Sequence, residues 1–200
     1  AIESRLHHIP GLAERYLYLN DDFFLGRYAQ PADYFTADGK PRVFLTEEAI
    51  PDTALAANDH PVVAAAKNNT AILQRLTGTR ASHKLKHAPY AMLRSVALEL
   101  EALAAEQFAA TARSPFRSPT DVSAASSLLP YYALATGRAV AGEMSHFYAD
   151  VASPELRWRL PRLLEHRDAD VICLNATTAP PRRASAIHAF LEAYFPPLKA

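Results

Sequence analysis

The sequence predicts an α/β fold, in which a layered and mostly parallel sheet is flanked by helices. Two observations support this prediction. Short runs of aromatic and branched apolar residues, which are typical of buried strands, lie between longer segments whose apolar residues recur about every 3.6 positions, which is typical of helices. The predicted strands and helices alternate along the chain, and such alternation favours parallel strands joined by helices.

Each element is predicted from a local pattern. Strands are predicted at residues 16–19, 42–45, 147–151 and 171–174, with a further apolar patch at 23–26. Helices are predicted at residues 2–9, 62–76, 88–110, 120–135, 154–165 and 183–195. The segment 88–110 has the most extended helical pattern and is rich in Ala, Leu and Glu, which are good helix formers. Thr120 is the expected cap of the next helix, Pro130 would kink that helix, and residues 46–60 are expected to form a surface loop.

Composition restricts the class of protein. Half of the 200 residues are apolar and 21 Lys and Arg balance 21 Asp and Glu, a profile of a soluble globular domain. The balance of charge argues against a non-specific nucleic-acid binder, which needs a surplus of basic residues, but does not exclude a local basic patch. No apolar run approaches the roughly 18 residues of a transmembrane segment, so none is expected. The one cysteine, Cys173, lies in an apolar run and is predicted to be a buried structural thiol.

An acidic triplet follows the first predicted strand. Asn20, Asp21 and Asp22 would lie at the carboxyl edge of the sheet, where α/β folds usually bind ligands. Hard cations such as Mg²⁺ prefer oxygen ligands of this kind. The alternative interpretation is a turn, because Asn and Asp end strands by hydrogen bonding to nearby backbone.

The histidines suggest two different roles. His83 and His87 stand four positions apart, as zinc ligands on a helix would, but the intervening Lys84 and Lys86 argue against a cation there. A single histidine such as His87 is a better candidate for a general base, since its ordinary pKa is about 6.5. The neighbours His7 and His8 are expected to have no joint role, because adjacent residues do not share a helix face.

Arg117 lies in a loop flanked by prolines, where a rigid backbone could direct its guanidinium group at a phosphate. The alternative is an ordinary solvated arginine. The glycine-rich motifs of nucleotide triphosphatases and dinucleotide-binding proteins and the Gly-x-Ser-x-Gly motif of serine hydrolases do not occur in the sequence. The residues alone therefore indicate an enzyme acting on phosphate with a metal ion, without naming the reaction.

Three ordered segments carry motifs that belong together. Residues 1–45 contain Ala1-Ile2-Glu3, Ile9-Pro10-Gly11-Leu12, Tyr18-Leu19-Asn20-Asp21-Asp22 and Phe24-Leu25-Gly26. Residues 83–137 contain His87-Ala88-Pro89, Phe116-Arg117-Ser118 and Asp121, and residues 170–198 contain Ile172-Cys173-Leu174-Asn175. In this order the chain resembles the Stealth family, which includes bacterial capsular and exopolysaccharide phosphotransferases and the catalytic core of the animal N-acetylglucosamine-1-phosphotransferase. The segments are similar to part of the family's second conserved region and to its third and fourth, within one catalytic-type domain over residues 1–200.

The resemblance implies a fold and an activity. The fold would be a partial GT-A-like domain, and the reaction would move a sugar-1-phosphate from a nucleotide sugar, expected to be a UDP-sugar, to a glycan hydroxyl in capsule or exopolysaccharide synthesis. Bacterial members are expected to act in the cytoplasm, peripherally at the inner face of the envelope. No nucleic-acid partner is implied, and no oligomeric state is predicted.

The resemblance also implies roles for particular residues. Asp22, with Asp21 beside it, would hold Mg²⁺ or Mn²⁺, and His87 would be the base for the acceptor hydroxyl. Glu3 and Arg117 would position the donor or stabilise charge on the transferred group. Asn20 and Asn175 would help to bind the cofactor.

Two departures from the family pattern give alternatives. The family's first conserved region and the first half of its second are absent, and Asn175-Ala176 stands where the family has Asn-Asp. We therefore expect an incomplete donor site, in a fragment of a longer enzyme or a degenerate, non-catalytic remnant. A metal-dependent glycosyltransferase, which breaks the bond on the sugar side of the same phosphate, is the other alternative.

Overall fold

The computed structural model describes residues 2–50, 53, 56, 58–176 and 181–196. Its strands are β1 Arg15–Tyr18, β2 Phe23–Leu25, β3 Arg42–Ala49, β4 His83–Leu85, β5 Tyr90–Leu93, β6 Val140–Gly142, β7 His146–Asp150 and β8 Val171–Asn175. Its α-helices are α1 Pro31–Tyr34, α2 Pro61–Thr77, α3 Arg94–Leu103, α4 Ala105–Arg113, α5 Leu129–Ala135, α6 Leu156–His166 and α7 Pro181–Tyr194. A 3₁₀ helix, Glu3–His8, and a π-helix, Ala124–Leu128, complete the described elements. The predicted mixture of helices and strands is confirmed.

The chain divides into two compact units. The first unit comprises Ala1–Tyr18, Gln30–Lys86 and Tyr90–Glu143, and the second comprises Leu19–Ala29, His87–Pro89 and Met144–Ala200. The single catalytic domain over residues 1–200 stays a prediction.

The first unit contains two small sheets and most of the helices. β1 pairs with β5 in antiparallel register, while β3 pairs with β4 antiparallel and with β6 parallel. Its core is apolar, with Met92, Val96 and Leu100 packed with Phe108 and Leu128. These residues come from a strand, two α-helices and the π-helix, so the core joins the helical layer to the sheet.

Helix α2 follows the predicted pattern closely. Pro61 lies in its first turn, where the missing N–H costs no helical hydrogen bond. Gly78 ends it in the left-handed conformation, with φ of +72°, which glycine adopts without steric cost. Buried Asn69 on this helix donates to the Ser123 carbonyl (2.9 Å) and ties α2 to the segment before the π-helix.

Two of the predicted helices are wrong in detail. Residues 90–93 of the predicted 88–110 helix form β5, because pairing with β1 outweighs their helical pattern, and the remainder breaks at Ala104 into α3 and α4. In the predicted 120–135 helix, Thr120 lies in a turn and the π-helix comes first. Pro130 lies in the first turn of α5, where it starts a helix and causes no kink.

The second unit is built on the sheet β2-β8-β7. β2 pairs with β8 antiparallel and β7 pairs with β8 parallel. Helices α6 and α7 supply Leu163 and Tyr194 to a core that includes Ile172 of β8. Gly26 approaches this sheet so closely that a Cβ atom there would lie 2.4 Å from the Ala169 carbonyl oxygen.

The predicted sheet was wrong in its direction and extent. Among the described residues the pairs β1/β5, β2/β8 and β3/β4 are antiparallel, whereas β3/β6 and β7/β8 are parallel. Alternation of strands and helices does not fix direction when the strands are short and pair with distant segments. β3 also runs on to Ala49 through part of the predicted 46–60 loop. No helix in the described part of the chain is both long and apolar enough to cross a membrane.

Candidate functional site in the second unit

The acidic triplet forms a turn that leads into β2. The Phe23 backbone N–H donates to the Asn20 carbonyl (3.2 Å), and the Leu174 N–H donates to the Asp22 carbonyl (3.1 Å). The turn interpretation is thus correct for the backbone. It leaves Asp21 exposed and Asp22 half-buried beside β8, so the two carboxylates have different surroundings.

The Asp22 side chain has one satisfied and one unsatisfied oxygen. Its Oδ2 accepts a hydrogen bond from the Cys173 thiol, with 3.3 Å between Sγ and Oδ2. Its Oδ1 is buried and accepts no hydrogen bond from the residues that the structure describes. A buried polar atom without a partner costs about 1–3 kcal/mol, more when it is charged, so such an atom in a native protein indicates a bound ion or an ordered water.

Cys173 is buried, as predicted, and its surroundings keep it a thiol. Burial raises its pKa well above the ordinary value, and the negative charge of Asp22 and their hydrogen bond raise it further. The group therefore remains protonated and donates to the carboxylate. The apolar run predicted the burial, whereas the partner required the β2/β8 register, which places Phe23 opposite Cys173.

His87 lies in an exposed bend whose neighbours are aromatic. The centroid of its ring lies 4.8 Å from that of Tyr148 and 6.3 Å from that of Phe23. Asn175 Nδ2 donates to the Tyr148 hydroxyl (3.0 Å), so β8 orients the tyrosine that contacts the histidine. The predicted residues Asp22, His87 and Asn175 thus lie around one sheet, and Tyr148, which sequence analysis missed, connects two of them.

Asp150 is a second residue that sequence analysis missed. It pairs with Asn175, and Tyr148 pairs with Cys173, in the parallel β7/β8 ladder. Paired residues of adjacent strands, and residues two apart on one strand, share a face of the sheet. Asp150 Oδ1 accepts from the Ala152 backbone N–H (2.7 Å), which ends the strand in a tight turn. In the sequence, Asp150 was indicated only by its position just after an apolar run.

The side-chain oxygen atoms of Asp22 and Asn175 are suitable ligands for a hard cation. Asp22 supplies a buried carboxylate oxygen with no protein partner among the described residues, and Asn175 carries an amide oxygen, a ligand type that Mg²⁺ accepts. In the described part of the chain, neither Asp21 nor Asp22 belongs to a cluster of three or more acidic, histidine or cysteine ligands. A Mg²⁺ ion held by Asp22 would complete its coordination shell with water and substrate phosphate.

Glu3, in the first unit, is surrounded by donors. Its Oε2 accepts from the backbone N–H groups of Ala125 and Ser126, both at 3.0 Å, and its Oε1 accepts from the Ser126 hydroxyl at 2.8 Å. The Tyr18 hydroxyl donates to Oε1 at 3.4 Å. The carboxylate therefore fastens the 3₁₀ helix to the start of the π-helix.

Arg117, also in the first unit, is exposed on a loop that is held at its base. The Ser118 N–H donates to Asp121 Oδ2 (2.8 Å), and Asn68 Nδ2 donates to the carbonyls of Pro119 (2.8 Å) and Asp121 (2.9 Å). The predicted rigid loop is thus fastened to α2.

The remaining histidines depart from expectation. His83 lies in strand β4, so the helix spacing considered for His83 and His87 does not occur. His7 and His8 do meet at one point, since the Nε2 atoms of both contact Glu101 Oε2. The expectation that these neighbours have no joint role was wrong, because two ring side chains can converge on one partner from adjacent positions.

Within the second unit, the buried Asp22 oxygen without a partner among the described residues and the exposed ring of His87 lie beside the same three-stranded sheet. Comparison with known proteins identifies the family. Residues 1–43 match Stealth protein CR2, conserved region 2, and residues 86–134 match Stealth protein CR3, conserved region 3. The chain belongs to the Stealth family, as the resemblance predicted.

Relatives align along nearly the whole chain. Two exopolysaccharide phosphotransferases of Streptomyces coelicolor are 46% and 45% identical over 98% of this chain, and the matched parts make up 34% and 36% of those proteins. The exopolysaccharide phosphotransferase CpsY of Mycobacterium tuberculosis is 41% identical over 98% of this chain and 38% of its own length. The chain spans about a third of the length of these relatives.

Proposed function

We propose that this chain is part of an enzyme that transfers a sugar-1-phosphate from a UDP-sugar to a glycan hydroxyl during capsule or exopolysaccharide synthesis. Relatives named exopolysaccharide phosphotransferases support the reaction class. The observation that carries the proposal is the Asp22 carboxylate, whose buried Oδ1 has no partner among the described residues, on the same sheet as the segment that contacts His87.

The reaction has a simple balance. The acceptor oxygen bonds to the phosphorus next to the sugar, and the bond between that phosphorus and the bridging oxygen breaks, so that UMP leaves with the electron pair. The hydroxyl proton passes to Nδ1 or Nε2 of His87, which is exposed and whose imidazole is the kind of side chain that most often serves as a general base. Tyr148, oriented by Asn175, holds the imidazole ring on one side.

The charged residues have complementary roles in this proposal. Asp22, with Asn20, Asp21 and Asn175 as further oxygen donors, would hold Mg²⁺ or Mn²⁺, which neutralises the charge of a diphosphate when bound. Arg117, on its fastened loop, is suited to pair with a phosphate oxygen through its planar fork. Glu3 keeps the start of the π-helix in place and so acts by positioning.

The proposal includes a GT-A-like arrangement of the whole enzyme and a cytoplasmic location at the inner face of the envelope.

The decisive experiment follows the phosphorus. The protein is incubated with Mg²⁺, a glycan acceptor and UDP-N-acetylglucosamine labelled at the phosphorus next to the sugar. Label in the glycan is the expected result. Label that appears only in released UDP would overturn the proposal in favour of a glycosyltransferase, and the absence of any turnover would favour the remnant.

A matched pair of variants assigns the base. His87→Gln should lower transfer by about 100-fold or more, a typical contribution of general-base catalysis. His166→Gln, at an exposed position at the end of α6 in the same unit, is the control and should leave transfer unchanged. Calorimetric binding of UDP-N-acetylglucosamine in Mg²⁺, lost in Asp22→Ala, would separate donor binding from chemistry.

A further inference from the structure

A second group of ligand-type side chains lies in the first unit, on the 3₁₀ helix and α3. His7 Nε2 lies 2.7 Å from Glu101 Oε2, and His8 Nε2 lies 2.6 Å from the same oxygen. The two rings are 4.4 Å apart at their centroids and tilted by 41°. One carboxylate oxygen is therefore the meeting point of two imidazole nitrogens.

The surroundings hold this arrangement in place. The His7 side chain is 3% exposed and its ring meets Phe108 edge-on at 6.2 Å, whereas the His8 side chain is 46% exposed and Glu101 is 17% exposed. Arg94 Nε donates to the His7 carbonyl (2.9 Å). The group is thus closed on the core side and open to solvent at His8.

The carboxylate is prepared to act as an anionic ligand. Oε2 of Glu101 already lies within hydrogen-bond distance of Nε2 of both His7 and His8. Arg5 Nη1 binds the other oxygen, Oε1, at 2.8 Å. Metal-binding carboxylates commonly have such an outer partner, which fixes the orientation of the ligating oxygen.

We propose that His7, His8 and Glu101 form a Zn²⁺ site. Two imidazole nitrogens and one carboxylate oxygen are a ligand set found at zinc sites that keep an open fourth position. All three ligand atoms lie within 4.8 Å of one another, and tetrahedral zinc needs ligand atoms about 3.3 Å apart, so the ion requires a shift of at most about 1.5 Å in any pair. Water would take the fourth position on the exposed side of His8.

The chemistry separates this site from the proposed Mg²⁺ site. Imidazole nitrogen suits zinc and related transition metals, whereas the ligands proposed for Mg²⁺, at Asp22 and Asn175, are carboxylate and amide oxygens. The 3₁₀ helix that ends with His7 and His8 begins with Glu3, so a bound ion would fasten the end of this helix to α3. The zinc site does not depend on the proposed transfer reaction.

The test uses the whole chain, freed of metal by chelation and then titrated with Co²⁺, whose visible absorption reports tetrahedral nitrogen and oxygen ligands. One equivalent should produce these bands, and Zn²⁺ should displace them and raise the melting temperature. His8→Ala and Glu101→Gln should each weaken binding by about 100-fold or more. Arg5→Ala should weaken it by about 10-fold, as loss of an outer partner does.

Controls distinguish the site from other metal binding. His166→Ala and Asp22→Ala should leave the bands unchanged. His8 is exposed, so its variant should remain folded, which far-UV circular dichroism will verify. Failure of Co²⁺ to produce bands in the wild type, or bands that persist in His8→Ala, would overturn the proposal and leave the three residues as a hydrogen-bonded clamp.

Discussion

Glu3 and Asp22 are the two acidic residues to which the family resemblance assigns central roles, and their surroundings are opposite. In the first unit, the Glu3 carboxylate accepts from two backbone N–H groups and a serine hydroxyl. In the second unit, Asp22 has a single thiol donor and a buried oxygen with no partner in the described part of the chain. An acid with its oxygens satisfied by the protein is suited to hold structure, whereas an acid with an unsatisfied oxygen is suited to hold a ligand.

The comparison predicts the largest effect on activity at Asp22. Asp22→Asn should lower transfer by about 1000-fold, because a neutral amide is a poor ligand for a cation and loses charge stabilisation of the transition state. The free energy of unfolding should not fall, since the carboxylate gains only the thiol hydrogen bond from the protein and a neutral amide costs less to bury than a charged group.

Transfer of the phosphorus label and urea unfolding measure the two quantities. Asp168→Asn, which alters an exposed ion pair with Arg162 in the same unit, is the matched control and should have little effect on either. An active Asp22→Asn protein would contradict the proposed role.

For Glu3, in contrast to Asp22, we expect a substantial loss of stability. Glu3→Gln keeps the size of the side chain but replaces one accepting oxygen with a donor that faces N–H or hydroxyl groups, so stability should fall by about 2 kcal/mol. Urea unfolding of this variant, compared with Glu106→Gln on the exposed side of α4, measures the difference. Equal stability of the two variants would show that Glu3 does not anchor the π-helix.

Local patterns predicted much of the fold where a segment's own chemistry decides its structure. α2 and its end at Gly78 were predicted because periodicity and a terminal glycine act within one segment. The predicted strand at 171–174 and the buried thiol of Cys173 followed from an unbroken apolar run.

The features that the sequence did not predict depend on pairing between residues far apart in the chain. Residues 90–93 have a helical pattern, yet they lie opposite β1 and extend as a strand. Three contacts of the candidate sites likewise join residues far apart in the chain. They are the hydrogen bond from Cys173 to Asp22, the hydrogen bond from Asn175 to Tyr148, and the contact of His7 with Glu101. The sequence indicated which residue types could carry chemistry, but their partners depended on strand register and helix packing.

The turn that ends α2 offers a smaller test in the first unit. Gly78→Ala should cost about 1 kcal/mol, because φ of +72° is strained for any residue with a Cβ atom while nothing lies within 4 Å of the position that this atom would take. Gly137→Ala, at φ of +69° and equally open, should cost the same. Thermal or urea unfolding measures both, and a neutral result at both positions would contradict this account of the turns.

The smallest expected effect concerns a carboxylate whose partners are close to solvent. Glu99 forms an ion pair with Arg138 and accepts from the Tyr132 hydroxyl at 2.6 Å. The hydrogen bond from Arg138, and then that from Tyr132, lowers the pKa of Glu99. Because the folded pKa lies below the unfolded value, the stabilisation is complete above the unfolded pKa and is lost as the pH falls through the folded one.

Wild type should therefore exceed Glu99→Gln in stability near neutral pH by less than about 1 kcal/mol, since Glu99 is 45% exposed and solvent screens the pair. The difference should begin to shrink as the solution is acidified past the ordinary pKa of a glutamate and should vanish below the lowered pKa of Glu99 in the folded protein. Urea unfolding of both proteins at a series of pH values measures it. A difference that stays constant into acid would mean that the packing of the Glu99 side chain, and not its charge, sets its contribution to stability. The comparison of carboxylates by their hydrogen-bond partners would then apply to Glu3 and Asp22 alone.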